Sequence, residues 1–413
     1  MGTGALWVAG FAALASPFVM AFDEGGSDVT TQAVAAVVAF VLLGVVAVVA
    51  PWPLVERGAA LAAVVSMAGF AGWTALSTQW SRALGDAVND ADRVVFYAAA
   101  FLLAVAAMRA SRLRALVPDV LLWGVVVVAL YALAGKLLPG VVDVKPEELA
   151  GDRLHQPLAY WNAMGIFTGF GVLLGLAAAA DGRRPAAYRA AAGAAAVPCA
   201  LACYLTYSRA SWAAVVAGLA VLFLLRTRAG AGPLRTAPRG ALAAAAVVLT
   251  LAAGFTVSFF AERTEEISKG AARVTTLKTY RGDYWRVALG SFADHPVAGV
   301  GAASFQVEWI RERDSRVFAF DAHSLYIETL AELGLVGFLL LAALFGSVAA
   351  GLRRRWRAAP DDPLMPAAAA VLGAFAVHAG LDWDWEMPSV TLIALLLAAA
   401  VVQRPAERSP AAP

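Results

Sequence analysis

Arg209, Arg286 and His323 are the residues of this 413-residue chain whose types and settings could do chemistry. Arg209 stands in the tight turn Tyr207-Ser208-Arg209-Ala210-Ser211-Trp212, between two apolar runs with almost no loop. A guanidinium fork binds phosphate oxygens bidentately, so an arginine held there could clamp a phosphate. The plainer alternative is an interfacial side chain snorkelling to headgroups. Arg286, in Tyr284-Trp285-Arg286, carries the same two readings. His323 lies where a long polar segment meets the next apolar run. Histidine is the natural proton acceptor near neutral pH; a structural role at a helix start is the alternative. His295 precedes Pro296, which favours a loop-shaping role.

Two other stretches have a chemical reading. Residues 151–162 put Arg153, His155 and Asn162 just before an apolar run, and Asp382-Trp383-Asp384-Trp385-Glu386 follows His378. Indole faces bind sugar rings, which makes Arg153, Asn162, His378 and Asp382 candidates for an acceptor or glycan site. The four-residue spacing would let His378 and Asp382 hydrogen-bond, and Asp-x-Asp could hold a divalent cation. An aromatic belt with solvated acids is the plain alternative. Cys199 and Cys203, four apart with no third or fourth ligand, read as small buried residues on one helix face rather than a metal or redox pair.

The elements that must position these residues are membrane helices. The chain is 61% hydrophobic and 15% charged, with a mean hydropathy of +0.71. Soluble domains carry roughly 45–50% apolar and about 25% charged residues, so an ordinary soluble protein is excluded. Disorder is excluded too, and the net charge of +2 is too small to argue for nucleic acid. A spanning helix needs about 20 mostly apolar residues. Such runs occur near 5–22, 31–55, 58–76, 93–109, 115–135, 162–180, 190–206, 210–225, 241–260, 325–350, 364–381 and 389–402. Asp119, Glu328 and Glu332 are the charges inside them. The first run lacks a basic n-region and reads as a retained helix, although Ala13-Leu14-Ala15 leaves cleavage open.

Basic residues in short loops set orientation. With the N-terminus in the cytoplasm, the inward segments hold Arg57, Arg109, Arg112, Arg114, Arg183, Arg184, Arg189, Arg226, Arg228, Arg235 and Arg239. They add Arg353, Arg354, Arg355, Arg357, Arg404 and Arg408, 17 in all. The outward short loops hold only 6: Arg82, Arg93, Lys136, Lys145, Arg153 and Arg209. The expectation is an all-α polytopic protein of about twelve spans, a single membrane domain over 1–413, with both termini cytoplasmic. The outer segment 261–322 is long enough to be partly helical, since Tyr284, Ala288, Leu289 and Phe292 recur at helical spacing. A break is expected at His295-Pro296, and Asp321 or Ser324 could cap the helix that follows.

At these residues the chain resembles the O-antigen ligase and polymerase superfamily of bacterial membrane glycosyltransferases. Three blocks carry the likeness: Tyr207 to Trp212; Trp285-Arg286 through Asp294-His295-Pro296-Val297-Ala298-Gly299-Val300-Gly301; and Ala322-His323-Ser324-Leu325-Tyr326-Ile327-Glu328 through Ala331-Glu332-Leu333-Gly334-Leu335-Val336-Gly337. Residues 378–388 look like a further block, so the likeness spans roughly 200–390. The resemblance implies a GT-C-like all-helical fold whose site opens to the outer face of the cytoplasmic membrane. It implies transfer of a glycan from an undecaprenyl pyrophosphate carrier to the hydroxyl of a glycan, lipid or protein acceptor. Arg209 and Arg286 would hold the pyrophosphate, His323 would assist the acceptor, and neither metal nor cofactor would be required. Polysaccharide polymerases and protein O-oligosaccharyltransferases of the same superfamily are alternatives. A secondary transporter is the rival class, but the longest loop does not fall at the middle of the chain and the halves show no convincing similarity.

Overall fold

The computed structural model describes residues 2–50, 52–138, 140, 142, 150–226, 239–261, 279–359 and 361–404. Residues 262–278 of the long segment, together with Lys145, Arg228, Arg235 and Arg408, lie outside the described residues. Among the described residues the fold is all-helical, with fourteen α-helices and no strand. In order they are α1 Gly2–Ala21, α2 Val29–Val49, α3 Ala59–Ser77, α4 Leu84–Ala107, α5 Ser111–Leu137, α6 Trp161–Ala179 and α7 Ala186–Leu205. Then come α8 Arg209–Arg226, α9 Arg239–Phe260, α10 Arg281–Asp294, α11 Phe305–Glu312, α12 Leu325–Ala358, α13 Leu364–Ala379 and α14 Pro388–Val402.

Each of the twelve apolar runs coincides with a helix, and α10 and α11 lie in the described part of the long segment. Among the described residues nine helices are long and apolar enough to cross a membrane, which makes this a multi-pass membrane protein. The other three differ from the expected spans for physical reasons. α4 starts nine residues before the expected run and carries Asp86, Asp90, Asp92 and Arg93 in its first turns. α13 and α14 have only 16 and 15 residues, or about 24 Å at 1.5 Å per residue. Every residue of α14 is buried, so its neighbours rather than lipid surround it. α2 lies at the other extreme, with Val34, Val37, Val38, Val41, Val45 and Val48 all exposed. Outside water, such a face is satisfied by acyl chains.

Two of the motif blocks turn out to lock together. α12 is broken at Gly334, whose backbone (φ 63°, ψ −164°) is closed to residues with a Cβ. The carbonyls freed by the break accept from the loop after α10: Val300 N–H donates to Ala331 O and Gly301 N–H to Glu332 O. In return Leu335 N–H donates to Pro296 O. The backbones approach so closely that a Cβ on Gly299 would lie 2.3 Å from the Glu332 carbonyl. The Glu332 carboxylate accepts the N–H groups of Ala303 (2.9 Å) and Phe305 (2.8 Å) and so holds the start of α11. Irregular backbone at a helix break needs such internal partners when lipid offers none.

Candidate functional site

The site is assembled where four segments meet: the residues before α6, the start of α10, the residues before α12, and the turn between α13 and α14. Its centre is Asp382, which is fully buried. Tyr160 donates its hydroxyl to Oδ1 (2.8 Å) and Asn162 its amide to Oδ2 (2.6 Å). Arg281 forms an ion pair with Oδ2. His323 Nδ1 lies 3.1 Å from Oδ1, and the Trp383 backbone N–H donates to the same oxygen at 3.0 Å. Burial by itself would raise the Asp382 carboxyl, but the Arg281 charge and the His323 contact outweigh it and hold the group well below the usual carboxylate range.

His323 occupies a left-handed backbone conformation (φ 54°) one residue before Ser324, which caps α12 by accepting Ile327 N–H. A non-glycine residue there carries local strain. The ring is fixed on both sides: Tyr284 stacks on it at 5.5 Å and Trp383 meets it edge-on at 6.2 Å. The Trp285 indole donates to Ala322 O, tying α10 to the same segment. Trp383 in turn packs on Tyr160 at 4.5 Å.

Other expected residues fall at varying distances from this centre. Arg209 is the first residue of α8, and its neighbours Ser208 and Ser211 are buried. Arg286 is half-exposed, paired with Asp283 and donating to Phe259 O at 3.1 Å. Arg281, five residues earlier on α10, is the one that reaches Asp382. Arg153 is buried and lies over the Trp161 ring at 4.5 Å. His155 is buried with Nδ1 3.0 Å from Arg153 O. His295 ends α10 and faces Arg82 at 3.5 Å, consistent with a loop-shaping role. Cys199 and Cys203 are both free and buried, as small packing residues should be.

Two spacing arguments need correction. His378 does not bond Asp382: α13 ends at Ala379, so the i, i+4 geometry lapses before Asp382 is reached. The turn instead brings Asp384 back beneath the ring, with His378 Nδ1 2.6 Å from Oδ2. The Asp-x-Asp pair does not converge on a common point, since Asp382 is taken by Arg281 and His323 and Asp384 by His378. Among the described residues, a grouping that could hold a divalent cation is elsewhere: Asp321, Glu328 and Glu386 have carboxylate oxygens within 4.8 Å of one another.

Tyr160, Arg281 and Tyr284 escaped selection in the sequence. Tyr160 reads as part of an aromatic belt, and Arg281 as one of nine basic residues balanced by nine acids in 261–322. The signal that could have found Arg281 is its place one helical turn and a half before Arg286, on the same short amphipathic helix.

Residues 194–342 match the family model for O-antigen ligase. That stretch, about a third of the chain, is similar to O-antigen ligases. It contains Arg209, Arg281, Arg286 and His323, and it stops before the turn that supplies Asp382. No curated protein matches the chain. The match and the helical fold together support a membrane protein of the O-antigen ligase and polymerase type.

Proposed function

We propose that this chain transfers a glycan from an undecaprenyl pyrophosphate carrier to an acceptor hydroxyl at the outer face of the cytoplasmic membrane, in the manner of an O-antigen ligase. The observation that carries the reading is the contact of His323 and Arg281, both inside the stretch that matches O-antigen ligase, with a buried Asp382. Asp382 accepting from Nδ1–H fixes the tautomer and leaves Nε2 as the proton acceptor. The acceptor hydroxyl gives its proton to Nε2 as its oxygen bonds the anomeric carbon. The bond from that carbon to the pyrophosphate oxygen breaks in the same displacement, which inverts the centre. Negative charge then grows on the pyrophosphate, where Arg209 and Arg286 neutralise it. Guanidinium groups remain charged throughout, so the scheme needs no metal. A GT-C-like arrangement, with both termini cytoplasmic and the site extracytoplasmic, belongs to the same proposal.

The test is transfer by the purified protein in liposomes from a lipid pyrophosphate glycan, with lipid, glycan and protein acceptors offered separately. Arg209→Ala, Arg286→Ala and His323→Ala are expected to lose transfer while remaining folded. Arg209→Lys should also lose activity, because the bidentate fork is gone. Retained transfer by His323→Ala would remove the base. Loss of activity in chelator, restored by a divalent cation, would overturn the metal-free scheme. Which acceptor is used separates ligase from polymerase or protein glycosylation.

A further inference from the structure

His378 is fully buried, so it cannot touch a glycan, yet both its ring nitrogens are engaged. Nδ1 lies 2.6 Å from Asp384 Oδ2, and Nε2 lies 2.9 Å from Ser211 Oγ. Ser211 Oγ is also 2.8 Å from Ser208 Oγ and 3.1 Å from the Asn162 carbonyl. The arrangement has the order of a Ser-His-Asp triad. Ser211 is nonetheless no nucleophile, because it is fully buried and surrounded by polar partners.

What the chain of bonds joins is more informative. Asn162, at the start of α6, sends its side-chain amide to Asp382. Ser208 and Ser211 bracket Arg209 at the start of α8, where Ser211 N–H donates to Ser208 Oγ at 3.3 Å. Gly165 is what lets α6 and α8 come this close, since a Cβ there would meet Ser211 Oγ at 2.5 Å. Asp384 lies two residues after Asp382 in the same turn, and its backbone carbonyl accepts from Thr391 of α14. One imidazole therefore ties together the helix start carrying Arg209, the helix start carrying Asn162 and the turn carrying Asp382.

We propose that His378 is a positioning residue, which with Asp384 and Ser211 fixes Asp382 against His323 and the start of α8. It acts through Asp382 and never contacts substrate. The inference rests on the proposed transfer reaction, and its failure can be told apart from the failure of that reading. A buried hydrogen-bonded chain suits this task because each polar atom left without its partner is costly, so the geometry is strongly specified.

His378→Ala would leave Asp384 buried beside a void and risks unfolding, so the test uses Ser211→Ala and Asp384→Asn. Each is expected to lower kcat by about 10- to 100-fold, the scale of an ångström-level misplacement, with the donor KM unchanged and a lowered thermal unfolding midpoint that still lies above the assay temperature. The decisive arm is a double-mutant cycle. In an Asp382→Ala background, Ser211→Ala should cost nothing further, because the group it positions has gone. Additive losses, or wild-type kcat in Ser211→Ala, would overturn the proposal. Wild-type transfer in His323→Ala would instead defeat the reaction scheme on its own.

Discussion

Two charged clusters share the segments 321–323 and 382–386, and their charge balance is opposite. Around Asp382 a single carboxylate is surrounded by donors: Arg281, His323, Tyr160 and Asn162. Around Arg93 a single guanidinium is surrounded by acids, pairing with Asp90 at 2.8 Å and Glu386 at 3.4 Å. Asp321 and Glu328 lie against Glu386, and Glu332 lines the same small cavity, of about 30 Å³. Buried charge must be compensated. Compensation at Asp382 comes from fixed donors, so that centre keeps its charge at every working pH. The acids around Arg93 outnumber their cation and cannot all ionise together. Burial and the Asp90 charge push Asp321 up to about 6, against the pull of His323 and Arg93. The first cluster thus holds its charge, and the second responds to protons.

The largest expected effect comes from breaking the donor-rich cluster. Asp382→Ala leaves Arg281 and His323 without their common acceptor, and it should reduce glycan transfer by at least ~10²-fold, the lower end of what a positioned proton acceptor contributes. Asp382→Asn keeps the hydrogen-bond acceptor without the charge and should fall between that variant and wild type. Equal rates for Asp382→Asn and wild type would show that the charge has no role in transfer.

Next comes a substitution on the acid-rich side that affects folding rather than transfer. Glu332→Ala removes the acceptor of two backbone N–H groups at the break in α12. Leaving a buried N–H without its acceptor costs about 1–3 kcal/mol, so the loss should be on the order of 3 kcal/mol, read as a lower thermal unfolding midpoint in detergent. An unchanged midpoint would mean that water replaces the carboxylate and that the interlock of the two loops is not stiff.

The effect of Asp321→Asn is smaller and has a definite sign. With its folded value of about 6 above the ordinary 3.8, folded protein binds more protons than unfolded protein between those values. Stability therefore falls as pH rises through that window and stays low above it. Asp321→Asn should be more stable than wild type at pH 7 and lose that advantage by pH 4. A variant less stable at pH 7 would make ionised Asp321 a needed partner of Arg93.

The comparison also explains what could be read from the sequence. Period and apolar length located the twelve apolar helices but not the short α11, because a spanning helix must satisfy its own backbone and cover its side chains with apolar surface. His323 was legible from its type and its place at a helix start. Arg281 was not, since an ion pair across 101 residues leaves no local pattern. The partner of His378 was misassigned because helical spacing was carried past Ala379, where the helix has already ended. The interlock of residues 295–301 with Gly334 was present as two separate blocks, and only the backbone reveals that they pair.

The smallest effect tests whether burial, and not ion pairing as such, gives these clusters their weight. Arg82 and Glu308 form an ion pair like that of Arg281 and Asp382, but their side chains are 33% and 9% exposed against 19% and 0%. Water screens such a pair and its ordering costs side-chain entropy, so exposed pairs contribute about 0.2–1 kcal/mol. Arg82 also holds its neighbourhood through the backbone, its N–H donating to Ser304 Oγ at 3.0 Å, and a side-chain substitution leaves that bond intact. Arg82→Ala should therefore shift the unfolding midpoint barely above experimental error and leave transfer at the wild-type rate. A loss as large as that of Glu332→Ala would mean that the contact with His295 at 3.5 Å holds the loop after α10 in place, and the distinction between exposed and buried pairs would then fail at this loop.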